Sequence, residues 1–417
     1  MALSNLNTVW IFDSYLQDRN WFVKQQENAL LAAGTRLDDL SPYYDGSLAI
    51  GYGFDLLVRS NSEINTYLEL AGLSVRLSAS DETALDNART AIATGTLTTA
   101  QKKALLEEVA ANLTLALSSE ADAASLLSVF ISNDLTSLDV ERYLNHRLGY
   151  EMAPSHERIA LISLAYQRGS TDRPFIGDKL IAAITNDDRA EAWFEIRYNS
   201  GSSFATRRYA ESDMFQLYGG VGGVTEHDAT SIYQMYTRHK NRIDTYEIQH
   251  APATTIAQNL GAAREVLLDR FTRRYGIEVA VSDIQIGEDV TTAWVSLLTD
   301  PGKDDDTLVG TSRSDLLIGE SGDDKLTGDG SRDVLVGGAG NDTLSGGGDD
   351  DVLDGGDEND ILEGGDGSDQ LMGGAGFDAY FFTRSDLTNS TVDHVIDSDR
   401  AGEIRLSFKG RLTGADT

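Results

Sequence analysis

Cysteine is absent from the 417 residues of this chain, so neither a disulfide framework nor thiol chemistry is available to it. Basic residues are also few: 34 Lys and Arg stand against 67 Asp and Glu, and the formal net charge is −33 at pH 7. A nucleic-acid-binding protein needs a basic patch against the phosphate backbone. The composition therefore argues against nucleic acid as a partner.

Long apolar runs are missing too. No stretch of about 18 apolar residues occurs, so no transmembrane segment is expected. The N-terminus, residues 1–5, lacks a basic region followed by an apolar run, so we expect no cleaved signal peptide. The chain contains neither an HExxH nor a GxSxG motif, which disfavours a zinc hydrolase and an esterase.

An aspartate recurs at every ninth position of the C-terminal third. The nine members are Asp306, Asp315, Asp324, Asp333, Asp342, Asp351, Asp360, Asp369 and Asp378. An apolar residue follows each aspartate by two positions, from Leu308 to Tyr380, and glycines precede most of them. A nine-residue, glycine-rich repeat of this kind predicts a parallel β-roll loaded with calcium.

The spacing explains the expected chemistry. Glycines allow tight turns with positive φ, and aspartate supplies the hard oxygen ligands that Ca²⁺ prefers. The apolar residue would point into a narrow core between two stacked sheets. If two repeats form one coil, an ion would lie between Asp324 and Asp342, or between Asp333 and Asp351. All nine aspartates are therefore candidate calcium ligands, and several structural Ca²⁺ ions are the expected cofactor.

Charge makes the ions a folding requirement. Residues 301–380 contain 21 acidic and 4 basic side chains, a net charge of −17. Such self-repulsion opposes a compact state until cations neutralise it. Without calcium, the alternative of an acidic, glycine-rich disordered segment stays open.

The repeats resemble the RTX family of secreted calcium-binding proteins over roughly residues 302–382. Residues 311–313 and 331–332 replace glycines and add positive charge, so weaker sites are predicted there. Asp349 and Glu358 also replace glycines, which predicts altered loops. The resemblance implies export by a dedicated secretion machinery and folding outside the cell. It also implies strands in residues 383–417, and leaves open that the chain is a fragment continuing beyond Thr417.

Residues 1–300 have a different sequence pattern: glycine is sparse, and apolar residues recur at helical spacing. The helices predicted from it include 101–117, opened by a capping box from Thr98 to Gln101, and 157–166, 189–198 and 262–275. Between residues 41 and 57 this pattern breaks, and aromatic and aliphatic residues around a glycine-centred turn predict a short hairpin.

A helix with a glutamate, followed by a hairpin with an aspartate, suits glycoside hydrolysis, which uses two carboxyl groups. Glu27, the segment 43–46 and the segment Ile50-Gly51-Tyr52-Gly53 resemble the glutamate–hairpin signature of phage-type lysozymes. Residues 160–169 are similar to the core helix of that family, and residues 207–211 to its closing double-arginine helix. The matches follow the order of the family and span roughly 20–220, with 60–150 as a helical insertion.

The resemblance implies roles for individual residues. Glu27 would be the general acid, Asp45 the second carboxylate, and Tyr44, Tyr52 and Arg207 would bind substrate. Each residue also has a structural alternative: Glu27 as a solvated helix glutamate, Asp45 as a turn residue, the tyrosines as core, and Arg207 as the partner of a carboxylate such as Glu195 or Glu211. Two positions depart from the family pattern, where Ala49 replaces a threonine and Phe54 a histidine.

Taken together, the patterns predict a multidomain α + β protein. Residues 1–222 would form an α-rich lysozyme-like domain with a small hairpin, 223–300 a helical linker or extension that could shield a face, 301–382 the β-roll and 383–417 terminal strands. The expected function is a secreted, calcium-dependent peptidoglycan hydrolase acting on bacterial cell walls, plausibly as an antibacterial toxin. Its rivals are a non-catalytic glycan-binding RTX surface protein, favoured by Ala49, and a lytic transglycosylase, which tolerates Ala49.

Overall fold

A computed structural model describes residues 3, 6, 12–32, 40–44, 48–52, 54–132, 140–166, 176–199, 205–219, 223–275, 283–286, 305–383, 391–399 and 401–407. Two compact units comprise Met1–Val221 and Gly222–Thr417. The first is helical with a small antiparallel sheet, and the second ends in a parallel β-roll. The predicted α + β class with a C-terminal roll is therefore confirmed. A search of the described helices for a segment able to cross a membrane finds none.

The first unit contains ten helices among its described residues: α1 (Phe12–Ala32), α2 (Asn61–Leu70), α3 (Ala79–Ala93), α4 (Thr99–Asn112), α5 (Glu120–Ser132), α6 (Val140–Leu148), α7 (His156–Tyr166), α8 (Asp178–Thr185), α9 (Arg189–Tyr198) and α10 (Ala205–Phe215). The capping box of Thr98 with Gln101 opens α4 as predicted. That helix ends at Asn112, five residues before the predicted Leu117, because Leu113 adopts an extended conformation.

The hairpin predicted for residues 41–57 is present and gains a third strand. Strands β1 (Tyr43–Tyr44), β2 (Leu48–Ile50) and β3 (Phe54–Asp55) form an antiparallel sheet in the order β1-β2-β3. All of β2 is buried, and Phe54 makes edge-to-face contacts with Tyr67 and Phe130. The aromatic residue at position 54 is therefore a core residue that packs the sheet against α2 and α5.

Helix α7 lies at the core of the first unit. Its residues from Glu157 to Ala165 are buried, and it contacts α1, α6 and α10. A helix that is buried all round must satisfy its polar groups internally. Two such contacts are an ion pair of Glu157 with Arg189 at 2.7 Å and a hydrogen bond donated by Ser163 to Glu211 at 2.6 Å.

Helix α10 supplies a buried ion network around Glu211, whose side chain has no exposed surface. Arg207 donates to Glu211 at 2.9 Å and to the carbonyl oxygen of Ser163 at 2.9 Å, and Arg208 donates to the second carboxylate oxygen of Glu211. One carboxylate thus pairs with the buried guanidinium of Arg208 and the half-buried guanidinium of Arg207, and it joins α10 to α7.

The second unit begins with helices α11 (Glu226–His250), α12 (Ile256–Asn259) and α13 (Gly261–Tyr275). Two six-stranded parallel sheets follow. The first sheet contains β4 (Asp283–Ile286), β6 (Asp315–Ser321), β8 (Val334–Ala339), β10 (Val352–Asp357), β12 (Gln370–Ala375) and β14 (His394–Ile396). The second contains β5 (Thr307–Val309), β7 (Lys325–Gly330), β9 (Thr343–Gly348), β11 (Ile361–Asp366), β13 (Asp378–Thr383) and β15 (Gly402–Ser407).

Successive repeats alternate between the two sheets, so one coil takes two repeats. Leu335 pairs in register with Leu317 and with Leu353, each 18 residues away. The predicted apolar ladder forms the core between the sheets, and all of its members are buried: Leu308, Leu317, Leu326, Leu335, Leu344, Leu353, Leu362, Leu371 and Tyr380.

The two sheets differ on their outer faces. The outward residues of the first sheet are apolar and buried: Ile284, Ile286, Leu316, Ile318, Val334, Val336 and Val352. The equivalent positions of the second sheet are mostly polar and at least partly exposed, as in Lys325, Thr327, Thr343 and Ser345. Helix α11 contacts β4, and Arg274 of α13 pairs with Asp354 on β10 at 2.6 Å. The helices therefore lie over the first sheet.

Loss of the Glu211 carboxylate should destabilise the first unit strongly. Glu211→Ala removes the buried carboxylate that pairs with both Arg207 and Arg208, and we expect the free energy of unfolding to fall by about 3–5 kcal/mol. Urea unfolding of the calcium-saturated chain, followed by the fluorescence of buried Trp193, measures this change. The exposed Glu108→Ala on α4 is the control and should change stability by less than about 0.5 kcal/mol. Equal effects of the two variants would contradict the role of the network.

Candidate calcium-binding site

The loops at the edges of the roll stack too closely for side chains at certain positions. Gly338 and Gly340 have φ values of 122° and 136°. A Cβ on Gly338 would lie 2.1 Å from the carbonyl oxygen of Glu320, which belongs to the loop one coil earlier. Glycine is therefore required by the backbone conformation and by the close approach of the stacked loop.

One oxygen of each repeat carboxylate is used to build the stack. The amide of Asp324 donates to Oδ1 of Asp342, and the amide of Asp333 donates to Oδ1 of Asp351, both at 2.8 Å. The structure thus brings together the two pairs named from the sequence. The same bond recurs along the ladder from Asp306 to Asp378.

The second oxygen is the candidate ligand. Among the described residues, no hydrogen-bond partner reaches the buried Oδ2 atoms of Asp324, Asp333, Asp342, Asp351, Asp360 and Asp378. A Cβ built on Gly337 would lie 2.2 Å from Oδ2 of Asp342 and 2.6 Å from the carbonyl oxygen of Gly355. A carboxylate oxygen and a main-chain oxygen from the next coil therefore converge at this glycine, and the same pair recurs at Gly319, Gly328, Gly346 and Gly355.

This donor set fits calcium. Ca²⁺ takes six to eight oxygen ligands with loose geometry and accepts main-chain carbonyls alongside carboxylates. Within the described part of the chain, no three acidic or histidine side chains converge on one point. The residues present would therefore hold the ion with few carboxylates and several carbonyl oxygens, and the ion would satisfy the buried Oδ2 atoms.

Burial raises the pKa values of these carboxyl groups in the absence of a cation. Desolvation is the main cause, neighbouring carboxylates add to it, and the hydrogen bond from the stacked amide opposes it. The pKa is raised to about 6 for Asp342, to about 7 for Asp333, and to about 8 for Asp324, Asp351 and Asp360. A cation that favours the ionised form would reverse this shift.

Comparison with known proteins agrees with the geometry. Residues 301–335, 327–362 and 345–379 match the family model of the RTX calcium-binding nonapeptide repeat. The C-terminal coils form a calcium-binding RTX β-roll. No curated protein and no solved structure matches the chain.

The first complete loop of the RTX roll differs from the others. The amide of Thr311 donates to Oδ2 of Asp315 at 2.5 Å, and the hydroxyl of Thr311 donates to the same oxygen at 3.0 Å. In the other loops the equivalent Oδ2 atom is the candidate calcium ligand, whereas at Asp315 this atom already accepts two hydrogen bonds from Thr311. This contact supports the weaker site predicted from residues 311–313. Asp333, by contrast, keeps its open Oδ2 although Ser331 and Arg332 precede it.

The loops at Asp349 and Glu358 differ in backbone conformation from the loops that have glycine at the equivalent position. Their φ values are 69° and 80°, whereas Gly340, Gly367 and Gly376 have φ values of 136°, 158° and 143°. Both residues adopt the left-handed conformation, at a cost of roughly 1–2 kcal/mol for each residue. The replacement of glycine therefore changes the local backbone, in line with the altered loops predicted for these positions.

One further acidic residue continues the carboxylate stack of the RTX roll. The amide of Asp369 donates to Oδ1 of Asp393 at 3.0 Å, across 24 residues instead of 18. The sequence reasoning missed this residue because six extra residues interrupt the nine-residue period. The sequence feature that could have identified it is the position of Asp393 directly before the short segment His394–Ile396, which forms β14.

The residues proposed for glycoside hydrolysis lie in the first unit. Glu27 belongs to α1 and Tyr44 to β1, but their side chains, and all of Asp45, lie outside the described residues. Tyr52 is 2% exposed, so its ring offers no face to a sugar. Arg207 belongs to the buried network around Glu211. The structural alternatives are therefore favoured for Tyr52 and Arg207.

Removal of one ion-facing carboxylate should weaken calcium binding. Asp342→Asn keeps the side-chain shape but removes the charge and a hard ligand, so we expect calcium affinity to fall about 10-fold or more. Asp315→Asn is the matched control, because Thr311 already occupies the equivalent oxygen, and should change affinity by less than about 3-fold. Calorimetric titration of the full chain distinguishes them, and equal losses would contradict the assignment.

Calcium affinity should increase with pH. Carboxyl groups whose folded pKa is raised stabilise the calcium-free roll below the unfolded pKa, near 3.8, and lose this contribution as the pH rises through about 6–8. At pH 6 these protons neutralise the buried carboxyl groups in place of the cation, whereas above about pH 8 the groups are ionised and their repulsion opposes folding of the calcium-free roll. Calcium must displace the protons at pH 6, so its binding should release protons there and should be weaker than at pH 8.

Calorimetry in buffers of different ionisation enthalpy measures the proton release directly. The observed enthalpy should depend on the buffer at pH 6, and much less at about pH 9. An affinity that falls with pH, or an enthalpy that does not depend on the buffer at pH 6, would contradict the protonated state of the calcium-free carboxyl groups.

Proposed function

We propose that this chain is a secreted, calcium-dependent peptidoglycan hydrolase. The first unit would cleave β-1,4 linkages between aminosugars of bacterial cell walls, as a muramidase does. The RTX roll would bring about export by a dedicated secretion machinery and folding in the calcium-rich exterior. Release of such an enzyme outside the cell would suit an antibacterial toxin.

The observation that carries the proposal is the mutual contact of the segments that resemble phage-type lysozymes. Tyr166, in the segment similar to the core helix, donates its hydroxyl to the carbonyl oxygen of Tyr52 at 2.6 Å. Ser163 of the same helix contacts Arg207 and Glu211 of the double-arginine helix. Three segments far apart in sequence thus meet in one unit, and this contact supports the proposal.

A polar link ties the glutamate helix to the hairpin. Lys24 forms an ion pair with Glu120 at 2.6 Å, and the hydroxyl of Tyr52 donates to the same carboxylate at 2.5 Å. Lys24 lies one turn before Glu27, and Tyr52 follows β2 directly. Glu120 therefore links helix α1 to the residues that follow β2, which supports the proposal that the glutamate helix and the hairpin belong to one site.

The proposed chemistry assigns one task to each carboxyl group. Glu27, protonated, would donate its proton to the leaving glycosidic oxygen. Asp45, ionised, would orient water or stabilise the positive charge that develops on the sugar ring. The two groups need different protonation states, so their surroundings must separate their pKa values.

Ala49 favours a second candidate, a lytic transglycosylase. Its side chain is 1% exposed within β2 and has no hydroxyl, whereas the lysozyme family has a threonine there that helps to position water. A transglycosylase needs one acid and no positioned water, so it tolerates this change. A non-catalytic glycan-binding RTX protein would also tolerate it.

Digestion of purified peptidoglycan by the calcium-loaded chain tests the proposal. Glu27→Gln removes the acidic proton but keeps the size of the side chain, and we expect the rate to fall about 100-fold or more. The exposed Glu108→Gln on α4 is the control and should act like the wild type. Equal rates for Glu27→Gln and the wild type would refute the assignment of Glu27.

The products distinguish the candidates. New reducing ends indicate a hydrolase, anhydro ends indicate a transglycosylase, and binding without release of fragments indicates a glycan-binding protein. Chelation of calcium should lower the activity by unfolding the roll. Full activity of a chelated sample would contradict the calcium dependence.

A further inference from the structure

The outer face of the first sheet is built as a docking surface. Its apolar residues occur on β4, β6, β8 and β10, and the most exposed of them, Val336, is only 7% exposed. Here they point away from the core between the sheets, so another element must exclude water from them.

Helix α13 has the length and the apolar stripe to cover these strands. Ala263, Leu267 and Phe271 are buried and spaced by four residues, so they lie on one face of the helix. Fifteen residues extend over about 22 Å. Four strands at about 4.8 Å spacing extend over roughly 15 Å, so one helix suffices to cross them all.

A change of residue type marks the end of the covered region. Ile318 and Val336 occupy one outward position on β6 and β8, and Asp354 occupies the same register on β10. Arg274, in the last turn of α13, pairs with this aspartate at 2.6 Å. On β12 the next residue in register is Met372, which is only half-buried. The helix and the apolar face therefore end together.

Size and charge argue that neither partner of this interface is stable alone. The helical segment Glu226–Tyr275 has about 50 residues and contacts the sheet through α11 against β4 and through Arg274 with Asp354. A segment of this size rarely maintains a core of its own. The sheet requires calcium, because its loops bury carboxylates in a region of net charge −17.

We propose that the helices α11 and α13 dock only on the calcium-loaded roll, so that calcium binding orders residues 226–275 together with the repeats. Calcium removal releases the helical segment as well as the coils. Because coupling between two equilibria is reciprocal, a defect in the helix–sheet interface must also weaken calcium binding at loops that it does not touch. This coupling is independent of the proposed hydrolase activity.

Hydrogen exchange of the full chain, with calcium and with chelator, tests the coupling. Peptides of α11 and α13 should lose protection on chelation, by at least about 100-fold, in parallel with residues 305–383. Peptides of α2 and α4 in the first unit should not change and serve as the internal control. If the amides of α11 and α13 stay protected in chelator, whether or not residues 305–383 lose protection, the proposal is overturned.

A pair of variants tests the reciprocal effect. Val336→Lys places a charge on the covered outer face of the first sheet. Ser345→Lys is the matched control, because it places the same charge at the equivalent outward position of the second sheet, where the polar side chain is already partly exposed. We expect calcium affinity to fall about 10-fold for Val336→Lys relative to Ser345→Lys. Equal affinities of the two would overturn the proposal.

A milder change covers the outcome in which Val336→Lys fails to fold. Arg274→Gln removes only the ion pair with Asp354 and leaves the apolar stripe of α13 intact. Its calcium affinity should fall a few-fold, and exchange in α13 should increase while calcium is bound. Affinity and exchange that both match the wild type would count against the coupling.

Discussion

The second unit depends on the pairing of each buried carboxylate with a main-chain group on one side and with a cation on the other. One oxygen of Asp342 accepts the amide of Asp324, and the other is buried beside the carbonyl oxygen of Gly355. The first contact stacks the coils, whereas the second is repulsive until a positive charge lies between the two oxygens. We therefore expect calcium to decide whether the two sheets, and the leucine ladder between them, form when the carboxyl groups are ionised.

In the first unit, buried carboxylates form ion pairs with side chains of the same unit. Glu211 neutralises Arg207 and Arg208, Glu157 pairs with Arg189, and Glu120 joins Lys24 and Tyr52. Because each carboxylate has a cationic partner within the fold, no metal is needed to make these contacts. The two units thus use these acidic residues in different ways: in the first unit they pair with cationic side chains, and in the second they provide oxygen ligands for calcium.

Much of the roll could be predicted because its information is local. Each repeat contains its own turn glycines, its ligand and its core residue, so the period predicts the loops, the ladder and the 18-residue coil. The departures at Asp349 and Glu358 are local as well, because these residues have φ values of 69° and 80° where the equivalent Gly340 has a φ of 136°. The apolar outer residues, such as Val334 and Val352, recur every 18 residues and so indicate a covered face of one sheet. The nine-residue period does not show them, because the repeat between them has a polar residue, Thr343, at the same position.

The sequence by itself determined the calcium chemistry, the β-roll, the helical character of the remainder and the position of the hairpin, since all of these follow from short-range spacing. Only the tertiary structure decided which side chains are buried and what they meet. Tyr52 and Arg207 proved to be interior groups, and Arg274 meets Asp354 across 80 residues. Such contacts depend on how elements pack, and packing brings together residues whose distance along the chain carries no periodic signal.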